Sequence, residues 1–285
     1  MFKEAIPIMS NRYTLDQGSI IYGLKSIKYP ECKCYGILIT ASCDIANSKV
    51  SKYYYLIGVE ADEWFKSAYC FKMIFNKKIQ QLFDKYSKII SDEGFDAKTL
   101  FSFTPEEINT VINSKDIKHQ KKILETLKKL KSINNCTSIL DLKNTEINVS
   151  KIILDKLKSI NKGEEYHYYY LPQDSFLNNK ILNKGIIVDL QEIGFIYPDE
   201  ANLLIENKGI DASLLDELDL NENTLTSLKS TFYLENDDFI DIESTISSPW
   251  REHLMQRFSH GFIRIGLDGA LTSDLEAISN RICGE

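Results

Sequence analysis

The sequence predicts an α+β fold, a small β-framework split by a lysine-rich helical insertion and followed by a helical C-terminal part. Three observations predict it. Short runs dense in aromatic and β-branched residues occur before residue 75 and again after residue 163, and such runs suit strands. Between them apolar residues recur at spacings of three and four, the helical period. Charge follows the same division. Residues 1–75 hold 9 bases and 7 acids, 76–162 hold 17 lysines and 11 acids, and 163–246 hold 4 lysines against 18 acids; residues 247–285 hold 4 arginines and 5 acids. Residues 1–75 and 163–210 are therefore read as two halves of one β-unit, 76–162 as the insertion, and 211–285 as an acidic segment with C-terminal helices.

Each element has its own local signal. Ser19–Leu24 follows the turn-like Asp16-Gln17-Gly18, and Tyr35–Thr40 and Lys52–Glu60 are apolar runs of strand length. Helical spacing begins with Ile79, Leu82, Phe83 and Tyr86 and returns with Ile123, Leu127 and Leu130. Thr104-Pro105-Glu106-Glu107 combines an N-cap, a proline at the first helical position and a capping-box glutamate. Strand character resumes at Glu165–Leu171 and Gly185–Leu190, and a helix is expected around Leu214–Leu228. Ser248-Pro249 opens a helix through His260 that Gly261 should stop, and Ser273-Asp274-Leu275-Glu276 is a second capping box.

Composition removes several classes. No run reaches the roughly 18 apolar residues of a membrane span. The N-terminal stretch has no apolar core of signal-peptide length, which predicts a cytoplasmic protein with free thiols. Cys32, Cys34, Cys43 and Cys70 do not repeat the two-residue gap of common zinc sites, so no metal and no cofactor are expected. P-loop, dinucleotide, H-E-x-x-H and G-x-S-x-G patterns are all missing.

Two stretches concentrate reactive side chains. Ser42-Cys43-Asp44 follows a strand end, where a rigid element fixes geometry and a loop gives access. Cys43 suits a nucleophile and Asp44 a base or a metal ligand, with Ser42 as a contact. A thiolate needs a cationic neighbour, which folding would have to supply from His167; the alternative is a tight turn with Asp44 on backbone amides and Cys43 packed. The second stretch runs over 251–264. Trp250, Leu254 and Phe258 form one apolar stripe, and His253, Arg257 and His260 fall on another face, which Arg264 would extend only if the helix continued past Gly261; Arg251 is a further binding candidate of this stretch. Two imidazoles with a guanidinium suit binding a phosphate or acting on one; an ordinary solvated face is the alternative. In the insertion, Lys118, Lys121, Lys122, Lys128 and Lys129 offer a surface for RNA or DNA, unless the acidic segment screens it.

Gly18-Ser19-Ile20-Ile21-Tyr22, and Gly36-Ile37-Leu38-Ile39-Thr40 leading into Ser42-Cys43-Asp44, resemble the opening of MazF/PemK-like prokaryotic SH3-like barrels. The resemblance covers about residues 16–60. It implies an SH3-like barrel, closed by the strands after the insertion, and a place in toxin–antitoxin-like defence. Ser19 stands where that family carries an acid, and its Arg-Pro before Gly36 is missing, so the resemblance supports the barrel more than cleavage.

The expected function is a binding component of a prokaryotic stress or defence system, recognising nucleic acid or a protein partner encoded nearby. The lysine-, isoleucine- and asparagine-rich composition accords with an AT-rich bacterial genome. Two alternatives stand beside it: a metal-independent endoribonuclease of the toxin type, and a scaffold docking a basic partner through the acidic segment. An oligomer is compatible with each, and none involves a membrane.

Overall fold

A computed structural model describes residues 14–113, 116–177, 184–207, 209–211 and 239–263. The expected helices at Leu214–Leu228 and after Ser273, and Arg264 with them, lie outside these residues. The chain divides into two compact units, a sheet unit of Met1–Leu24, Lys33–Val59 and Ser159–Glu285 and a helical unit of Lys25–Cys32 and Glu60–Lys158.

The sheet unit contains β1 (Ser19–Leu24), β2 (Cys34–Leu38), the short helix α1 (Ser42–Ala46) and β3 (Tyr53–Glu60). After the helical unit come β4 (Tyr168–Leu171), β5 (Phe176–Leu177) and β6 (Ile186–Ile196). Strand order is β4-β6-β3-β2-β1, then β8 (Phe239–Ile246) and β5, with β7 (Ile210–Asp211) pairing β8 off this path. The paired strands run antiparallel; Ile37 of β2, for example, sits opposite both Ile20 and Leu56. This corrects the expected barrel. Among the described residues the sheet is open, ending at β4 on one side and β5 on the other, because β4 pairs with β6 and does not return to β1.

The sheet's core holds Ile20, Tyr35, Ile37, Leu56, Leu171, Ile186, Val188 and Leu190, closed by Leu254 of a long helix. Each side chain of this size contributes roughly 1.5–3 kcal/mol when fully buried. Further helices of the unit's C-terminal part are α9 (Pro198–Asn207) and α10 (Trp250–Ile263). The apolar stripe read from the sequence seats α10: Leu254 is buried, while Trp250 and Phe258 pack at the core's margin. Gly261 does not stop this helix, which runs to Ile263.

The helical unit follows β3 in the chain with α2 (Ala61–Lys66), α3 (Ala68–Ile74), α4 (Asn76–Asp92), α5 (Ala97–Ser102), α6 (Pro105–Ile112), α7 (Ile117–Asn134) and most of α8 (Val149–Lys162). Its main cluster includes Tyr86, Ile90, Leu100, Ile108, Ile123, Leu127 and Leu130. The Thr104 capping box forms as the sequence requires, with Thr104 Oγ1 accepting from the Glu107 amide and Glu107 Oε2 accepting from the Thr104 amide. No helix among the described residues is long and apolar enough to cross a membrane.

Candidate functional site

The site is assembled where α10 crosses the sheet unit beside β4 and β6. Tyr169 of β4 is buried, and its hydroxyl lies 2.9 Å from Nδ1 of His253 on α10, the two rings meeting edge to face at 5.3 Å. Burial pushes the Tyr169 phenol up to about 12, against the opposing pull of the Arg257 charge. The phenol therefore stays protonated at neutral pH and shares a hydrogen bond with the His253 ring. This contact keys the helix to the strand.

One turn later Arg257 lies against Gly163, the residue that ends α8. Gly163 has φ +75, a conformation that favours glycine, and a Cβ there would come within 2.5 Å of the guanidinium carbon. The bare backbone leaves room for the guanidinium. The His167 backbone is held next to β6, its carbonyl accepting from the Leu190 amide at 2.8 Å. His167, Arg257 and His260 thus line one cavity of about 500 Å³, together with Tyr166, Gln191, Ile193 and Phe258. Both histidines are exposed and Arg257 is half-buried. Among the described residues the lining carries one guanidinium and two imidazoles and no carboxylate, a donor set that suits an anion better than a metal ion.

Phe258 and Ile193 also border a second basin of about 540 Å³, lined by Thr40, Asp44, Lys49, Ser51, Lys52 and Tyr54 among others. The two stretches singled out in the sequence therefore meet on either side of one wall. Asp44 reaches the second basin; Ser42 and Cys43 are not among its lining residues. Ser42-Cys43-Asp44 is the first turn of α1 and not a free turn, and Cys43 is exposed and not packed. Its sulfur lies 3.7 Å from an Asp44 carboxylate oxygen. Among the described residues no histidine bonds to Cys43, because His167 goes to the other cavity. The Cys43 thiol thus donates to the Asp44 carboxylate, and among the described residues no imidazole joins them.

The remaining sequence candidates separate. His253 is tied to Tyr169 and does not line the cavity, so the three polar residues of α10 do not act as one face. Arg251 is held by its neighbour Glu252, with Nη2 at 2.7 Å from Oε1. In the helical unit, Lys122 and Lys129 are in ion pairs. Lys122 Nζ lies 2.5 Å from Glu93 Oε1, and His119 Nδ1 contacts Glu93 Oε2. The Lys122 and His119 contacts hold the Glu93 carboxyl down to about 2. Lys129 Nζ lies 2.8 Å from Glu146 Oε1 and heads the causes that hold that carboxyl down to about 2. Lys118, Lys121 and Lys128 are exposed on α7.

Of the cysteines, Cys32 and Cys70 are buried in the helical unit and Cys34 in the sheet. Burial pushes the Cys32 thiol up to about 11 and that of Cys70 higher still.

Gly163, Gln191, Ile193 and Lys49 match no functional pattern in the sequence, and Lys52, Tyr54 and Tyr166 read there only as parts of strands. The nearest signal was the length of β6, which runs six residues beyond its apolar beginning and carries Ile193 to the wall between the basins. Comparison with known proteins finds no matching family model, no matching curated protein and no matching solved structure.

Proposed function

We propose that this chain is a nucleic-acid-binding component that grips a phosphodiester group in the cavity lined by His167, Arg257 and His260. One observation carries the reading: a strand-end histidine joins the arginine and second histidine of α10 around a cavity whose lining, among the described residues, has no acid. A guanidinium offers paired N–H donors to phosphate oxygens, and imidazoles add further donors. The volume of about 500 Å³ falls within the range of ligand sites. The protein's net charge of −7 does not oppose this, since phosphate contacts depend on the local surface.

Binding of labelled RNA, followed across salt concentrations, tests the reading. The wild type should bind with an affinity that falls as salt rises, and Arg257→Gln should weaken binding about tenfold with an unchanged melting temperature. Salt-independent retention, or equal binding by the variant, would overturn it.

A second reading is metal-independent RNA cleavage, favoured by the presence of two imidazoles on one cavity, one to accept a proton and one to donate it. Cleavage that survives EDTA, follows a bell-shaped pH profile and is lost in both His167→Ala and His260→Ala would establish it. RNA left whole after long incubation would remove it. The part in a prokaryotic stress or defence system belongs to the same proposal and rests on the resemblance of about residues 16–60 to the MazF/PemK-like group, whose barrel closure the open sheet does not share. A protein partner encoded beside this chain that co-purifies with it would be the corresponding evidence.

A further inference from the structure

Beyond the cavity the sheet unit carries a row of aromatic side chains that its core does not use. Ile193 and Tyr197 are 44% and 40% exposed, and Tyr54 on the neighbouring β3 is 46% exposed. Phe195 lies between them, its ring 6.3 Å from that of Tyr54 and 5.4 Å from that of Tyr197, both edge to face. Lys52 places its ammonium 3.7 Å from the centre of the Phe195 ring. Ile193, Phe195 and Tyr197 alternate along one strand and its extension, and Ile193 is shared with the anion cavity. From Gln191 to Tyr197 the row extends ~20 Å at about 3.3 Å per residue.

An exposed aromatic row of this kind costs solubility and gives the core nothing, yet it matches single-stranded nucleic acid, whose unpaired bases stack on aromatic faces. Charge agrees: among the described residues, the basin beside the row sets Lys49 and Lys52 against one carboxylate, that of Asp44. Thr40, Ser51 and Gln191 line the two basins with neutral groups of the kind that ribose 2′-hydroxyls bond.

Resting on the nucleic-acid reading above, we propose that the surface from Tyr197 and Tyr54 to the Phe258 wall is a stacking track for single-stranded RNA. Bases lie on Tyr54 and Tyr197, the backbone passes Lys52 and Lys49, and a phosphate enters the cavity at Arg257. The specificity is for strandedness and sugar, not for base sequence.

The test is equilibrium binding of labelled oligo(U) and oligo(A) RNA, the matching DNA strands, and the RNA duplex, to the full chain. Both RNA strands should bind similarly, the duplex at least tenfold more weakly and the DNA strands several-fold more weakly. The Tyr54→Ala/Tyr197→Ala double variant should lose roughly 10-fold or more in RNA affinity, and Tyr54→Phe/Tyr197→Phe should recover most of it. Equal affinity for duplex and single strand, equal affinity for DNA and RNA, or wild-type binding by the folded double alanine variant would each overturn the track. If Arg257→Gln weakens binding and the double alanine variant does not, the cavity stands and the track fails. If the wild type binds no nucleic acid at all, both readings fail together.

Discussion

The helical unit and the sheet unit each bring a histidine and several basic side chains close together, and they use them in opposite ways. In the helical unit, His119 and Lys122 close on Glu93, and Lys129 closes on Glu146. In the sheet unit, His167, Arg257 and His260 line a cavity whose lining, among the described residues, contains no carboxylate. The helical unit carries more positive charge in sequence, but its paired part is already neutralised at short range. What marks a candidate site is cationic groups left facing a concavity, with the backbone shaped to admit them.

Breaking that distinction at its strongest point should give the largest effect. Arg257→Glu places a carboxylate in the cavity and should abolish measurable RNA binding, a loss on the order of 100-fold, with the fold intact by circular dichroism. The same reversal at Lys118 should leave binding nearly unchanged.

The ion-paired cluster should answer to acid instead. Glu93 is only 7% exposed at its side chain and is held at about 2, below its ordinary 4.5. Its pairing therefore stabilises the fold fully above about 4.5 and is lost as pH falls towards about 2. Glu93→Gln should lower the melting temperature by several degrees at neutral pH and flatten its decline between those values, while RNA binding stays within about twofold.

Gly163→Ala sharpens the comparison more gently. The added Cβ meets the Arg257 guanidinium, and the residue sits at φ +75, so some cost falls on the backbone at roughly 1 kcal/mol. Binding should weaken about fivefold by titration, with a small loss in melting temperature. The smallest effect belongs to Lys118→Gln/Lys121→Gln/Lys128→Gln. These side chains are exposed on α7, and RNA affinity should change less than about twofold.

Much of the local structure was legible. Ser19–Leu24 is the strand its residues describe, and Thr104-Pro105-Glu106-Glu107 builds its capping box, because both depend on contacts within a few residues. The apolar stripe Trp250-Leu254-Phe258 likewise reported how α10 is seated. Closure of the sheet was not legible, since strand pairing partners are decided by distant residues; β6 lies beside β4 and β3 and the sheet stays open.

The site was legible by halves. Helical spacing brought Arg257 and His260 together but also enrolled His253, which a buried tyrosine from β4 claims. The sequence offers His167 as a partner for Cys43, 124 positions away in the chain, and the fold delivers it to the Arg257 cavity instead. Gly163 and the aromatic row along β6 act through tertiary placement alone, and no periodicity announces that.

The most direct test of the central claim is the salt dependence of single-stranded RNA binding, measured side by side for the wild type, Arg257→Gln and the triple lysine variant. The account predicts that Arg257→Gln reduces the slope of log affinity against log salt by about one and that the lysine variant keeps the wild-type slope. A slope that falls in the lysine variant and holds in Arg257→Gln would place the nucleic-acid surface on α7 and contradict the account.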